Sequence, residues 1–288
     1  MNLQWFPGHM SKTRRMISEH LKLVDVLVEI LDARLPLSSR NPEIDKIAGD
    51  KLRILVLNKA DLADSAATAA WQAYFARQGL TAVPLDSQSG KGFSAFAPAV
   101  DRVMKEKIER DRSRGIQRHS VKLMVVGIPN VGKSSFINRL SGRSAAKTGD
   151  RPGITTTKQW IRIAGKYELL DTPGILWPKF EDQMVGLRLA LIGAIKDEIL
   201  NIDELSLELI KVLARDYAGI LTDRYGVDET QTPVKILEQI AENRKCISRG
   251  NELDYSKAAA LLIDEFRGGR LGKITLEKPS GQETQEQG

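Results

Sequence analysis

The chain has 288 residues, of which 42% are hydrophobic and 28% charged, a folded-protein profile with room for one full α/β domain and a smaller companion. Its net charge of +6 leans toward an acidic partner, nucleic acid being the usual one, although many proteins without such a partner are mildly basic. No apolar run approaches the roughly twenty residues that span a bilayer, the opening Met1-Asn2-Leu3-Gln4-Trp5-Phe6-Pro7 lacks the order of a signal peptide, and the single cysteine, Cys246, excludes an internal disulfide. A cytoplasmic location without membrane contact is the expectation.

In chain order, short apolar runs end in polar or glycine-rich loops. Val26 to Leu31 ends at Asp32-Ala33-Arg34, Arg53 to Leu57 at Asn58-Lys59-Ala60-Asp61, and Thr81 to Leu85 at Asp86-Ser87-Gln88. A charged, helix-like stretch from about Pro98 to Arg118 then leads to the run Lys122 to Val126, which ends at Gly127. Trp160 to Ile163 and Tyr167 to Leu170 read as two more strands joined by a tight turn. Continuously apolar strands of this kind suit a mostly parallel sheet covered on both faces, with ligands at the carboxyl ends of the strands. Beyond Pro178 the pattern turns helical, with breaks near Gly226, Thr232-Pro233 and Gly250, and Pro279 to Gly288 reads as a polar disordered tail. The expected division is 1–178 for an α/β domain, 179–278 for an all-helical domain and 279–288 for the tail.

Gly127-Ile128-Pro129-Asn130-Val131-Gly132-Lys133-Ser134 follows a strand and opens a helix, the context in which this spacing binds phosphate. The backbone N–H groups from Asn130 to Ser135 would surround phosphate oxygens, with Val131 and Gly132 at the bend. Lys133 would supply positive charge to the β- and γ-phosphates, and the Ser134 hydroxyl would ligate Mg²⁺. Asp171-Thr172-Pro173-Gly174 follows the next strand, with Asp171 suited to Mg²⁺ and the Gly174 N–H to sensing the γ-phosphate. Between them lies Thr155-Thr156-Thr157; one of these hydroxyls is expected on Mg²⁺, Thr155 first and Thr156 next.

Asn58-Lys59-Ala60-Asp61 selects the base. The Asp61 carboxylate can accept from the guanine N1–H and amine, which adenine does not offer, so a buried polar site rejects the wrong base. The Lys59 stem can lie along the ring, Asn58 can tie this loop to the phosphate loop, and a backbone N–H near Ser87 can reach the guanine O6. The expected ligand is GTP or GDP.

The order of these motifs is unusual: base recognition precedes the phosphate loop. In this order the chain resembles the circularly permuted GTPases. Trp5-Phe6-Pro7-Gly8-His9-Met10, Asp32-Ala33-Arg34 and the phosphate-loop sequence make it similar, over nearly its whole length, to the ribosome biogenesis GTPase A (YlqF) family. The resemblance implies a circularly permuted P-loop GTPase domain followed by a helical domain that contacts ribosomal RNA. It implies action in late maturation of the bacterial large (50S) subunit, with a monomer expected, binding to the precursor in the GTP state and release after hydrolysis. The alternative is a GTP-dependent RNA-binding module in which the nucleotide is structural and turnover incidental.

Ile175 occupies the position where many small GTPases carry a water-orienting glutamine, so slow turnover alone and stimulation by the large subunit are expected. Taken by itself, His9 either packs the N-terminal segment or orients water; the resemblance points to the second role, beside Lys133 and Gly174. Asn130 matches an asparagine that in related GTPases helps hold K⁺, and a loop-stabilising hydrogen bond is its other reading. Arg267-Gly268-Gly269-Arg270-Leu271-Gly272-Lys273 is either a solvated surface run or, as the resemblance implies, a contact to rRNA phosphates. Lys12, Arg14 and Arg15 have the same two readings.

Overall fold

The structure, a computed structural model, describes residues 10–116, 120–142, 159–163, 166–171, 182–248 and 250–279, with the backbone alone at 10–14, 159 and 171. The apolar runs form β1 (Val26–Asp32), β2 (Leu52–Asn58), β3 (Thr81–Pro84), β4 (Val121–Val126), β5 (Gln159–Ile163) and β6 (Tyr167–Asp171). These make one six-stranded sheet in the order β3-β2-β1-β4-β6-β5. Its pairings are parallel except for β5 against β6, the two strands expected to join through a tight turn. β1 lies in the middle of the sheet with every residue buried, which is why its sequence alternates no polar face.

Successive side chains of β1 point to opposite faces, and each face has its own helices. Leu27 packs with Ile17 and Leu21 of α1 (Met10–Leu21) and Ile44 of α2 (Pro42–Ala48). Leu31 packs with Trp71 and Phe75 of α3 (Ser65–Arg77). Val26, Val28 and Ile30 meet Phe96, Val100 and Met104 of α4 (Phe96–Ser113) and Phe136 of α5 (Lys133–Ser141). α4 is the charged segment expected to carry the chain across to β4; its buried stripe holds it to the sheet, and it ends before Gly115, whose φ is +74°.

Among the described residues five α-helices follow: α6 (Gln183–Leu191), α7 (Ile202–Asp216), α8 (Ile220–Tyr225), α9 (Pro233–Asn243) and α10 (Tyr255–Arg267). The breaks read from the sequence have local causes. Gly226 ends α8 in the left-handed conformation, and the Thr232 hydroxyl caps α9 ahead of Pro233. Two further breaks, at Gly193 and Gly219 with φ of +75° and +93°, were not apparent from the sequence. Leu205, Leu209 and Leu213 of α7, Ile236 and Ile240 of α9 and Leu262 of α10 join the same apolar cluster as Val26 and Val28. Each such side chain, fully buried, contributes about 1.5–3 kcal/mol.

After α10 the chain returns to the sheet. Ile274 N donates to Leu62 O at 3.0 Å and Leu276 N to Arg34 O at 2.9 Å. The buried Glu277 carboxylate accepts from the Leu37 and Ser38 backbone N–H groups and from the Ser38 hydroxyl, the last at 2.6 Å. Trp71 Nε1 donates to Glu277 O at 3.0 Å, and Tyr217 and Thr275 exchange hydrogen bonds at 2.7 and 2.9 Å. Pro279, assigned from sequence to the tail, is buried; the rest of that segment lies outside the described residues. Among the described residues no helix is long and apolar enough to cross a membrane.

Candidate functional site

Parallel pairing aligns the carboxyl ends of β1, β2 and β3: Asp32 is level with Asn58, and Leu57 with Pro84. The loops read from the sequence therefore converge on one edge. Gly127 leaves β4 where a Cβ would lie 2.6 Å from Ile30 O, so no other residue fits there without moving backbone. Gly132 has φ of +93°, and a Cβ on it would collide with the Asn58 amide. From Gly132 the chain enters α5, whose first N–H groups have no partner within the helix and suit an anion.

Lys133 is buried and its Nζ donates to Ile128 O at 2.8 Å, lying over its own loop where a phosphate oxygen can take the carbonyl's place. Ser134 and Ser135 stand half-buried in the first turn of α5. Asn58 joins three loops: its Nδ2 donates to Val131 O at 2.6 Å, and its Oδ1 accepts from Ser87 N at 3.1 Å. The Ser87 N–H is thus committed to Asn58. Ser87 Oγ is buried with no partner among the described residues.

Lys59 takes a left-handed φ of +58°, and its Nζ reaches Asn130 O at 2.8 Å, a second bond between the base loop and the phosphate loop. Desolvation and the nearby Asp86 carboxylate raise the pKa of Asp61, the expected reader of the guanine edge. Burial also pushes Asp86 up, but hydrogen bonds from Ser89 and Gln88 outweigh it and hold that carboxyl below its ordinary value. The same bonds, at 2.7 Å from Gln88 N and 3.0 Å from Ser89 N, shape the loop after β3.

Asn130, also left-handed at φ of +61°, donates through Nδ2 to Gly193 O at 2.7 Å. This bond runs from the phosphate loop to the turn that follows α6, and only the fold could reveal it, because sequence offers no sign of which residue lies opposite Asn130. Asp171 sits on β6 beside Val125, one strand from the phosphate loop. His9, Thr155 and Gly174, together with the side chain of Asp171, lie outside the described residues.

Arg267 departs from its expected role. Its guanidinium pairs with Asp197 at 2.7 and 2.8 Å and donates to Leu191 O and Ala190 O, closing the end of α6. A side chain with four internal bonds is not available to a phosphate backbone; Arg270 and Lys273, in the same run, are exposed. Arg15, in the N-terminal basic group, bonds Glu19 at 3.1 Å on the surface of α1, while the side chains of Lys12 and Arg14 lie outside the described residues.

A phosphate loop that opens a helix, an Asn-Lys-x-Asp turn bonded to it and a displaced chain order along one mostly parallel sheet define a circularly permuted P-loop GTPase. Comparisons with known proteins agree. The family described as "50S ribosome-binding GTPase" matches residues 122–245. Ribosome biogenesis GTPase A of Bacillus cereus is 50% identical over 97% of this chain and 95% of its own. A solved GDP-bound structure of TM YlqF superposes with a TM-score of 0.67 at 25% identity, over 92% of this chain and 99% of that one. GNP-bound YlqF from T. maritima gives a TM-score of 0.68 at 24% identity, over 93% and 99%, and supports the fold. The chain belongs to the ribosome biogenesis GTPase A family, and it is a GTPase.

Proposed function

We propose that this GTPase is an assembly factor for late maturation of the bacterial 50S subunit, binding the precursor and its rRNA in the GTP state and leaving after hydrolysis. The process is suggested by the name of the B. cereus relative. The observation that carries the coupling is the bond from Asn130 in the phosphate loop to Gly193 after α6. A change in the phosphate loop is felt directly by the helical layer. In the permuted order the Asp171–Gly174 motif also leads straight into that layer. Two states need only respond differently to GTP and GDP.

We take residues 1–178 as the G domain and 179–278 as the rRNA-binding part, acting as a monomer in the cytoplasm. By its contacts, the stretch 274–277 serves both parts. Exposed Arg270 and Lys273 are the phosphate contacts of this reading, and Arg267 supports them from within.

For hydrolysis, Lys133 exchanges Ile128 O for phosphate oxygens and offsets their charge, while the N–H groups at the start of α5 hold the β-phosphate. His9 orients the attacking water, a role Ile175 cannot fill, and the Gly174 N–H meets the γ-phosphate. A hydroxyl at Ser134, one at Thr155 and the carboxylate of Asp171 would hold Mg²⁺; hard oxygen donors suit that ion, and the pairing of Asp171 with Val125 brings its strand beside the phosphate loop. When bound, Mg²⁺ supplies charge stabilisation to the phosphates. A K⁺ ion at Asn130 would be met by its amide oxygen, since the nitrogen donates to Gly193.

The decisive test measures turnover with purified large or small subunits, and co-sedimentation with GDP or a non-hydrolysable GTP analogue. Stimulation by large subunits alone, with tighter binding in the analogue state, is the expected result. Equal binding in both nucleotide states would favour a binding module with a structural nucleotide. If His9→Ala leaves subunit-stimulated turnover intact while GTP still binds, His9 is not the water-orienting group. Equal rates in KCl and NaCl would remove K⁺.

A further inference from the structure

Two charged side chains beneath the base loop lie outside the phosphate and base motifs. Asp32 ends β1 and is fully buried; Arg34, two residues on, is 1% exposed. Burying a carboxylate and a guanidinium is costly unless both are held in good geometry. Here the pair is bidentate, with Arg34 Nε to Asp32 Oδ1 at 2.9 Å and Nη2 to Oδ2 at 2.8 Å. The backbone N–H of Arg34 also donates to Asp32 Oδ1 at 3.1 Å. Arg34 is fixed in turn by the helical layer. Its guanidinium lies 5.4 Å from the Phe266 ring centre, Nη1 reaches Arg267 O at 3.4 Å, and its carbonyl accepts from Leu276 N.

The same carboxylate faces the base loop. Lys59 Nζ stands 3.2 Å from Asp32 Oδ2, while the Lys59 side chain keeps 25% exposure. Lysine in a left-handed backbone is strained and has a long, mobile stem, so it needs anchors at its tip to lie in one place. It has two: Asp32 and the Asn130 carbonyl. Burial lowers the Lys59 pKa, and the Asp32 charge opposes that fall.

We infer that Asp32, fixed by Arg34, is a positioning residue for guanine binding: it holds the Lys59 ammonium so that the lysine stem lies along the face of the base. The inference rests on the GTPase reading of this site and adds a residue that reaches the nucleotide only through another. It predicts a pattern of losses that a fold defect would not give. The Lys59 stem meets the ring, which guanine and hypoxanthine share, whereas Asp61 reads the exocyclic amine that hypoxanthine lacks.

The test measures GDP and IDP affinities of the full chain, with unfolding midpoints taken without nucleotide. Asp32→Asn is expected to weaken GDP and IDP alike, each about tenfold, leaving their ratio unchanged; Asp61→Asn is expected to collapse the ratio. Lys59→Met keeps the stem and removes the charge on a partly exposed side chain, so it tests the anchor even where Asp32→Asn does not fold. It too is expected to lose about tenfold for both nucleotides, and the double variant no more than Lys59→Met alone. Wild-type affinity in Lys59→Met, losses that multiply in the double variant, or a changed GDP/IDP ratio in Asp32→Asn would overturn the inference. A wild-type chain that bound neither nucleotide would instead overturn the GTPase reading beneath it.

Discussion

Beside the apolar cluster that they share, the helical layer and the sheet domain are joined, among the described residues, by two polar junctions of very different construction. At the loop after β1, residues 274–277 are buried and joined to the sheet domain by backbone bonds, a buried carboxylate and a tryptophan N–H. At the phosphate loop, the bond described is a side-chain one, from the Asn130 amide to Gly193 O. One junction is built to stay closed because opening it would strand several buried polar groups. The other turns on a bond worth only about 0.5–1.5 kcal/mol net, a scale that a change of nucleotide can outweigh.

The largest expected effect lies at the fixed end. Glu277→Ala would leave the Leu37 and Ser38 N–H groups without their acceptor, and a loss of about 3 kcal/mol in unfolding free energy by denaturant titration is expected. A loss below about 1 kcal/mol would mean that the return of the chain is not the anchor. Arg267→Met comes next, at about 2 kcal/mol, because it removes a bidentate partner of Asp197 and the donors that close α6. Arg270→Ala and Lys273→Ala, exposed in the same run, are expected to stay within about 0.5 kcal/mol while weakening large-subunit binding at low salt. Equal destabilisation by all three would erase the distinction drawn between them.

Acidity probes the fixed junction more gently. Burial holds the Glu277 carboxyl above its ordinary 4.5, against hydrogen bonds from Ser38 and the charge of Arg188. The fold therefore favours the protonated acid: that stability is complete below the ordinary value and is lost as pH rises through the folded-state value. Glu277→Gln cannot ionise. Relative to it, the wild type is expected to lose stability as pH climbs above 4.5, by no more than about 1.4 kcal/mol per pH unit. A difference that stays flat with pH, or grows toward acid, would contradict the direction of the shift.

A small effect on stability is expected at the releasable end. Asn130→Ala should cost no more than about 1 kcal/mol, yet remove most of the difference between GDP and GTP analogue in the protease sensitivity of the helical layer. Persistence of that difference would show that the signal travels by another route.

The sheet and the junctions are unequally legible in the sequence. The strands were readable because a parallel sheet buries both faces, leaving uninterrupted runs such as Val26 to Leu31. Gly127, Gly132, Asn58 and Lys59 were readable because backbone sterics and base chemistry restrict which residues can stand there. The junctions depend on residues far apart in the chain, so no local pattern announces them. Glu277 resembles any acidic residue near a polar tail, and Arg267 any member of a basic run, until the fold supplies Ser38 and Asp197. Asp32 and Arg34 were visible only as part of a family signature, because their bidentate pairing and its reach to Lys59 are tertiary facts.

The bond from Ser38 N to Glu277 also sets a clock on synthesis, since 239 residues separate its two ends. At a translation rate of roughly 5–20 residues per second, the loop after β1 waits on the order of 10–50 seconds for its acceptor to be made. Throughout that interval the central strand is finished while the bed prepared for the returning chain stays open. Ser38 and Ser39 of that loop, buried in the finished protein, are made long before the residue that covers them.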